Sequence, residues 1–131
     1  MNDPANTDVL DGHGETILFV DDEVKQLRLM QQFLEESGYH VLTAKDGAEA
    51  VELHARHSDT IDLVVLDLAL PGMSGSDALR EMQRTTPGIK AIVATGYMTP
   101  QAESSQWRAV VMKPYRLEDI LGKISEVLRK P

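Results

Sequence analysis

Three carboxylates, one hydroxyl and one ammonium stand where short apolar runs of this chain end. Asp21 and Asp22 follow the run Thr16–Val20, Asp67 follows Leu63–Leu66, Thr95 follows Ile89–Ala94, and Lys113 follows Ala109–Met112. Singly, each has an ordinary reading. Acids at a helix start cap it and pair with its dipole, a threonine after a strand is a turn residue, and a lysine is a surface charge. If the runs are parallel strands, however, all five groups reach one edge of one sheet, where open α/β sheets place their ligands. Carboxylates about 5 Å apart repel by roughly 3 kcal/mol per pair at an effective dielectric of about 20, so the cluster needs a cation. Oxygen ligands that leave several waters in place suit Mg²⁺, with Mn²⁺ as a substitute. A carboxylate beside that ion is a feasible nucleophile toward phosphorus, giving an aspartyl-phosphate. The ammonium would neutralise phosphoryl charge in flight and the hydroxyl would hold a phosphate oxygen.

The elements that must position these groups follow from periodicity. Leu63–Gly75 reads Leu-Val-Val-Leu-Asp-Leu-Ala-Leu-Pro-Gly-Met-Ser-Gly, an apolar run meeting one acid and then a turn rich in Gly and Pro. Apolar runs without polar alternation suit strands covered on both faces. Strands are expected at 16–20, 39–44, 61–66, 89–94 and 109–112. Between them, Val24, Leu27, Met30, Phe33 and Leu34 recur at helical spacing up to Gly38, a C′ glycine. Asp46 caps a helix reaching about His57, and Ser76, or Ser74 before it, caps one that stops before Pro87. Residues 98–108 are polar and short, with Pro100 at a first helical turn, and a short fourth helix is expected there. Leu117, Ile120, Leu121, Ile124, Val127 and Leu128 form the clearest amphipathic stripe. Five strands alternating with five helices predict an α/β fold, a doubly wound (βα)5 parallel sheet with right-handed crossovers.

Composition narrows the class. A chain of 131 residues with 42% hydrophobic and 26% charged content is one globular domain. A net charge of −8 argues against direct nucleic-acid binding. No apolar run approaches a membrane span and no amino-terminal signal pattern is present. The absence of cysteine fits the cytoplasm. Residues 1–14, rich in Asn, Asp and Gly, read as a disordered lead or linker, leaving 15–131 as the domain. His54 and His57 share a helix face without a third ligand nearby and read as solvent-facing.

Five segments in order, Phe-Val-Asp-Asp-Glu (19–23), Asp-Gly-Ala-Glu-Ala (46–50), Leu-Asp-Leu-Ala-Leu-Pro-Gly-Met-Ser-Gly (66–75), Ala-Thr-Gly (94–96) and Lys-Pro-Tyr (113–115), resemble the receiver domain of bacterial two-component response regulators. The resemblance covers about residues 15–130 and implies the flavodoxin-like strand order 2-1-3-4-5. It further implies Asp67 as phosphoryl acceptor and Asp22 as a direct Mg²⁺ ligand, with Asp21 helping partly through water and the backbone carbonyl of Ala69 as a further ligand. Thr95 and Lys113 would contact the phosphoryl group, Thr95 being drawn toward Asp67, and the Lys113–Pro114 bond would be cis. The implied donor is a histidine kinase or a histidine phosphotransfer domain, with an unidentified downstream protein, no membrane, and a monomer or weak homodimer. The implied chemistry is confined to the chain's own acyl phosphate, so it is not a multiple-turnover enzyme. The chain would be a single-domain regulator or a receiver excised from a hybrid histidine kinase.

Two positions depart from that family's pattern. The aromatic usual three residues before the lysine is Val110 here, and Lys113 follows Thr95 by only 18 positions, several fewer than usual. The Thr–aromatic coupling of the family therefore lacks its usual aromatic here, and Trp107 and Tyr115 are the candidate substitutes. Ala69, two residues after the acceptor, is small, whereas Tyr97, two after Thr95, is bulky enough to shield a phosphoryl group. Two rivals stand beside this reading. One is a Mg²⁺-dependent phosphohydrolase with an aspartyl nucleophile, as in the haloacid dehalogenase family, which would need an acid where Ala69 stands. The other is a phosphorylation-independent docking receiver.

Overall fold

A computed structural model describes residues 12–129. Five strands, β1 (Thr16–Val20), β2 (His40–Ala44), β3 (Ile61–Asp67), β4 (Lys90–Thr95) and β5 (Ala109–Met112), form one sheet in the order β2-β1-β3-β4-β5. Every pairing is parallel. Helices α1 (Val24–Glu36), α2 (Gly47–Arg56), α3 (Gly75–Thr85) and α4 (Leu117–Arg129) cover its two faces. The expected doubly wound fold and strand order are present.

Side chains alternate across a strand, so each buried strand feeds two cores. Along β3, Val64 and Leu66 enter a core with Ala50, Ala78, Leu79 and Met82, from α2 and α3. Leu63 and Val65 enter the other, with Leu27, Met30, Leu34, Ile120 and Ile124, from α1 and α4. That two-sided burial is why the runs lack polar alternation. The final stripe packs as expected: Ile120 and Ile124 are fully buried and Val127 nearly so.

Two of the helices have side-chain caps. Asp46 accepts the Glu49 amide at 2.8 Å in front of α2, and Ser74, rather than Ser76, accepts the Asp77 amide at 3.1 Å in front of α3. Gly38, at φ 98°, takes the left-handed conformation after α1 that a glycine tolerates best. Residues 1–11 of the expected lead lie outside the described residues. Gly12 and Gly14 donate to the carbonyls of Ser37 and Gly38, tying this segment to the α1–β2 turn.

Two expectations are corrected. The shortened fourth helix is replaced by successive hydrogen-bonded turns: the Thr99 carbonyl accepts the Glu103 amide at 3.0 Å, with Thr99 Oγ1 accepting that of Ala102 at 3.2 Å, and the Ser104 carbonyl accepts the Trp107 amide at 3.4 Å. A helix running back along the six residues of β4 must cover about 20 Å. At 1.5 Å per residue it would use about the whole of the 96–108 connection and leave nothing for the bends at its ends. Trp107 fills the space instead, 6% exposed in the α2–α3 core, its Nε1 donating to the Gln101 carbonyl at 2.9 Å. His54 is not solvent-facing: it is 2% exposed, with Nε2 3.2 Å from Thr86 Oγ1 beyond the end of α3.

Candidate functional site

Parallel strands deliver their carboxyl ends to one edge, and four of them carry the groups singled out in the sequence. Asp67 is the last residue of β3 and only 6% exposed. Its Oδ1 accepts the Ala69 amide at 3.0 Å, which fixes the carboxylate against its own turn. Its Oδ2 accepts from Lys113 Nζ at 2.5 Å. Asp21, directly after β1 and 2% exposed, accepts the Glu23 amide on Oδ1 at 2.9 Å and lies 3.6 Å from Lys113 Nζ through Oδ2. Asp22 is exposed. Asp21, Asp22 and Asp67 each offer an oxygen within 4.8 Å of the others. At that separation each pair repels by about 3 kcal/mol at an effective dielectric of about 20, and Lys113 balances one charge of the three. Acid oxygens grouped on one open edge are the donor set that Mg²⁺ prefers. The residues present therefore fit such an ion.

Backbone packing holds this geometry. The Lys113 amide donates to the Thr95 carbonyl at 2.8 Å, and the Lys113–Pro114 bond is cis, as expected. The start of α3 comes so close beneath the site that a Cβ on Gly75 would lie 2.5 Å from the Asp67 carbonyl oxygen. Only a residue without a side chain lets α3 approach the strand end this closely.

Burial pushes the Asp21 carboxyl above the usual range, the neighbouring Asp67 and Asp22 charges adding to it against the Glu23 amide and Lys113. Burial also pulls on Lys113, but its hydrogen bond to Asp67 and the charges of Asp67 and Asp21 outweigh it and hold the ammonium above its ordinary range. The cation is thus locked in its charged form beside Asp67.

Thr95 closes β4 and is buried, but its hydroxyl faces its own turn. Oγ1 donates to the Tyr97 carbonyl at 2.9 Å and accepts from the Tyr97 amide at 3.3 Å. Ala69 is exposed beside the site. Val110 packs half-buried against the α2–α3 core, on the same side as Trp107, whereas Tyr115 packs against the α1–α4 core. Sequence reasoning missed the link between Tyr115 and α1. Gln26 Nε2 donates to the Tyr115 hydroxyl at 3.2 Å, across a cleft of about 470 Å³ that also touches Asp21, Glu23, Tyr97 and Lys113. Its two partners lie far apart in sequence, and no local pattern pairs them.

The family model for the response regulator receiver domain matches residues 17–125. The chain belongs to this family. Among curated relatives, the receiver is 31% identical over 124 residues to the probable transcriptional regulatory protein TcrX of Mycobacterium tuberculosis, covering 92% of this chain and 52% of that protein. It is 28% identical to the response regulator receiver protein CpdR of Brucella abortus, covering 86% of this chain and 95% of CpdR. With the sensor kinase CckA of the same organism the identity is 32%, over 88% of this chain and 13% of the kinase. The receiver thus spans about half the length of TcrX and much less of CckA. Among solved structures, a receiver domain protein of Clostridium thermocellum superposes with a TM-score of 0.80 at 30% identity, covering 87% of this chain and 94% of that one. CheY of Borrelia burgdorferi, in a complex with CheX, BeF3 and Mg, superposes with 0.81 at 25% identity, covering 88% and 90%. Among the described residues, no helix is long and apolar enough to cross a membrane.

Proposed function

We propose that this receiver accepts a phosphoryl group on the carboxylate of Asp67, from the phosphohistidine of a histidine kinase or phosphotransfer domain, and thereby changes its affinity for a downstream protein. The observation that carries the reading is the placement of Asp67. Its carboxylate is 2.5 Å from the Lys113 ammonium and within 4.8 Å of oxygens of Asp21 and Asp22. An oxygen of Asp67 forms the new O–P bond as the P–N bond of the donor breaks, and the bonding pair returns to the imidazole. Lys113 supplies a positive charge that its surroundings keep in place. The Ala69 amide holds Asp67 in position, and Thr95 supplies a hydroxyl for a phosphoryl oxygen once it leaves its own turn. Asp21, Asp22, Asp67 and the Ala69 carbonyl would hold Mg²⁺, or Mn²⁺ in its place, which when bound offsets charge on the phosphoryl oxygens.

The chemistry is limited to forming and losing this one acyl phosphate. Ala69 carries no acid to protonate a leaving group, which disfavours turnover on other substrates. A cytoplasmic location accords with the cysteine-free sequence. Intact-mass measurement after incubation with Mg²⁺ and acetyl phosphate tests the proposal. One phosphoryl increment, absent without Mg²⁺ and absent in Asp67→Asn, supports it. Steady release of phosphate over many turnovers would instead indicate a hydrolase. Neither an increment nor beryllofluoride binding would leave a docking module.

A further inference from the structure

The sheet ends on one side in β5, and among the described residues no strand pairs with its outer edge. The Arg108 amide donates to the Ala91 carbonyl of β4. Backbone groups alternate along a strand, so those of Ala109 and Val111 face away from the sheet. Such an edge is a template for another extended chain. Beside it runs a groove of about 520 Å³ whose far wall is α4. Glu118, Gly122 and Glu126 follow one another at four-residue steps and share the face of α4 that lines it. Gly122 keeps the groove open: a Cβ there would meet nothing within 4 Å. Asp119 adds a third acid, against Lys123, which lies 3.6 Å from Glu126. Three acids against one base leave this wall acidic. The other face of β5 differs. Met112 shares it with Val110, which packs toward α2 and α3, yet Met112 is 43% exposed, and the connection before β5 forms only turns.

We propose that the outer edge of β5 takes an extended segment of a partner protein, added to the sheet as a further strand, whose side chains alternate basic and apolar. The surroundings dictate that alternation, because successive side chains of a strand point to opposite faces of the sheet. On one face the segment meets Glu118 and Glu126, which call for cations. On the other it meets Met112, an adaptable apolar surface that an apolar side chain covers. The backbone groups of Ala109 and Val111 supply the ladder hydrogen bonds, which give affinity whatever the side chains are. The acidic wall then selects the partner, since an acidic segment would be repelled from it. The groove is present without any change at Asp67, so this docking mode stands apart from the acceptor reading.

Amide NMR of the isotope-labelled receiver, titrated with the peptide acetyl-Lys-Val-Lys-Val-Lys-Val-Lys-amide, tests this. The amides of β5 should shift together, and solvent exchange of the Ala109 and Val111 hydrogens should slow. The same peptide N-methylated throughout keeps its charge and side chains but donates no ladder hydrogen bond. It should bind at least about tenfold more weakly. A peptide of the same composition with its lysines in one block should also bind more weakly. Gly122→Leu, which fills the groove, should abolish the β5 shifts while the rest of the spectrum reports an intact fold. Equal binding of the alternating, blocked and N-methylated peptides, with shifts spread over the acidic surface, overturns the proposal in favour of general charge attraction. Absence of any shift in β5 overturns it as well. Signals of β5 that move when the receiver alone is diluted assign the edge to a second copy of this chain and overturn it too. No arm uses Asp67, so each of these failures leaves the acceptor reading intact.

Discussion

Among the described residues Lys113 alone bridges Asp67 and Asp21, while the third acid, Asp22, is exposed. That asymmetry separates metal binding from folding. Asp22→Asn should fold normally, because an exposed acid is lost and its repulsions with Asp21 and Asp67 are relieved. Its thermal midpoint should no longer rise with Mg²⁺. The parent should gain about 1.4 kcal/mol at an ion concentration ten times the dissociation constant, read by thermal unfolding with and without Mg²⁺. His54 makes a second prediction. Burial lowers its pKa below the ordinary 6.5, so in the folded state the ring stays neutral where the unfolded ring gains a proton. Its neutral form costs nothing above 6.5. As pH falls from 6.5 toward the folded pKa, the unfolded chain binds the extra proton and stability drops. Urea unfolding at a series of pH values should show that loss, and His54→Gln should flatten it. The five chemical groups were legible because a strand end fixes where a side chain emerges. His54 was not, because α2 packs against α3 as well as against the sheet. Its second buried side, and Thr86 as a partner, come from an element more than thirty residues away.

At the scale of elements, caps and glycines carry the sharpest expectations. Ser74→Ala removes the side-chain N-cap of α3 and should cost about 1 kcal/mol in denaturant unfolding. Two glycine substitutions should move in opposite directions. In Gly75→Ala the new methyl meets the Asp67 carbonyl, so the β3–α3 turn must shift, with a loss of about 2 kcal/mol or more and slower phosphorylation. In Gly122→Ala, inside α4 with open space around the position, the methyl meets nothing and helix propensity should add about 0.5–1 kcal/mol. Strand and helix positions were readable because each apolar run and stripe matches a single period. The 98–108 connection resisted that reading. Pro100 and the turn residues there allow a helix to start, but whether one forms depends on the length of β4, which the connection must retrace.

At the scale of the molecule, two cores meeting on one sheet leave its carboxyl edge open, and all the chemical side chains collect there. The alternation of strands and helices made this edge predictable. The direction in which Thr95 points was not predictable, because its hydroxyl chooses between its own turn and a ligand only in three dimensions. The family membership covers residues 17–125, and the matched relatives attach such domains to lengths of chain from CpdR to a sensor kinase. What they share with this chain is the receiver, whose proposed chemistry is one bond, between Asp67 and phosphorus. The most direct measurement reduces the protein with borohydride after incubation with acetyl phosphate and Mg²⁺, then maps the tryptic peptide between Arg56 and Arg80. That peptide holds Asp59, Asp62, Asp67 and Asp77. Asp67 alone should be converted to homoserine. Conversion of another aspartate, or of none in protein that mass measurement shows to be phosphorylated, would contradict it.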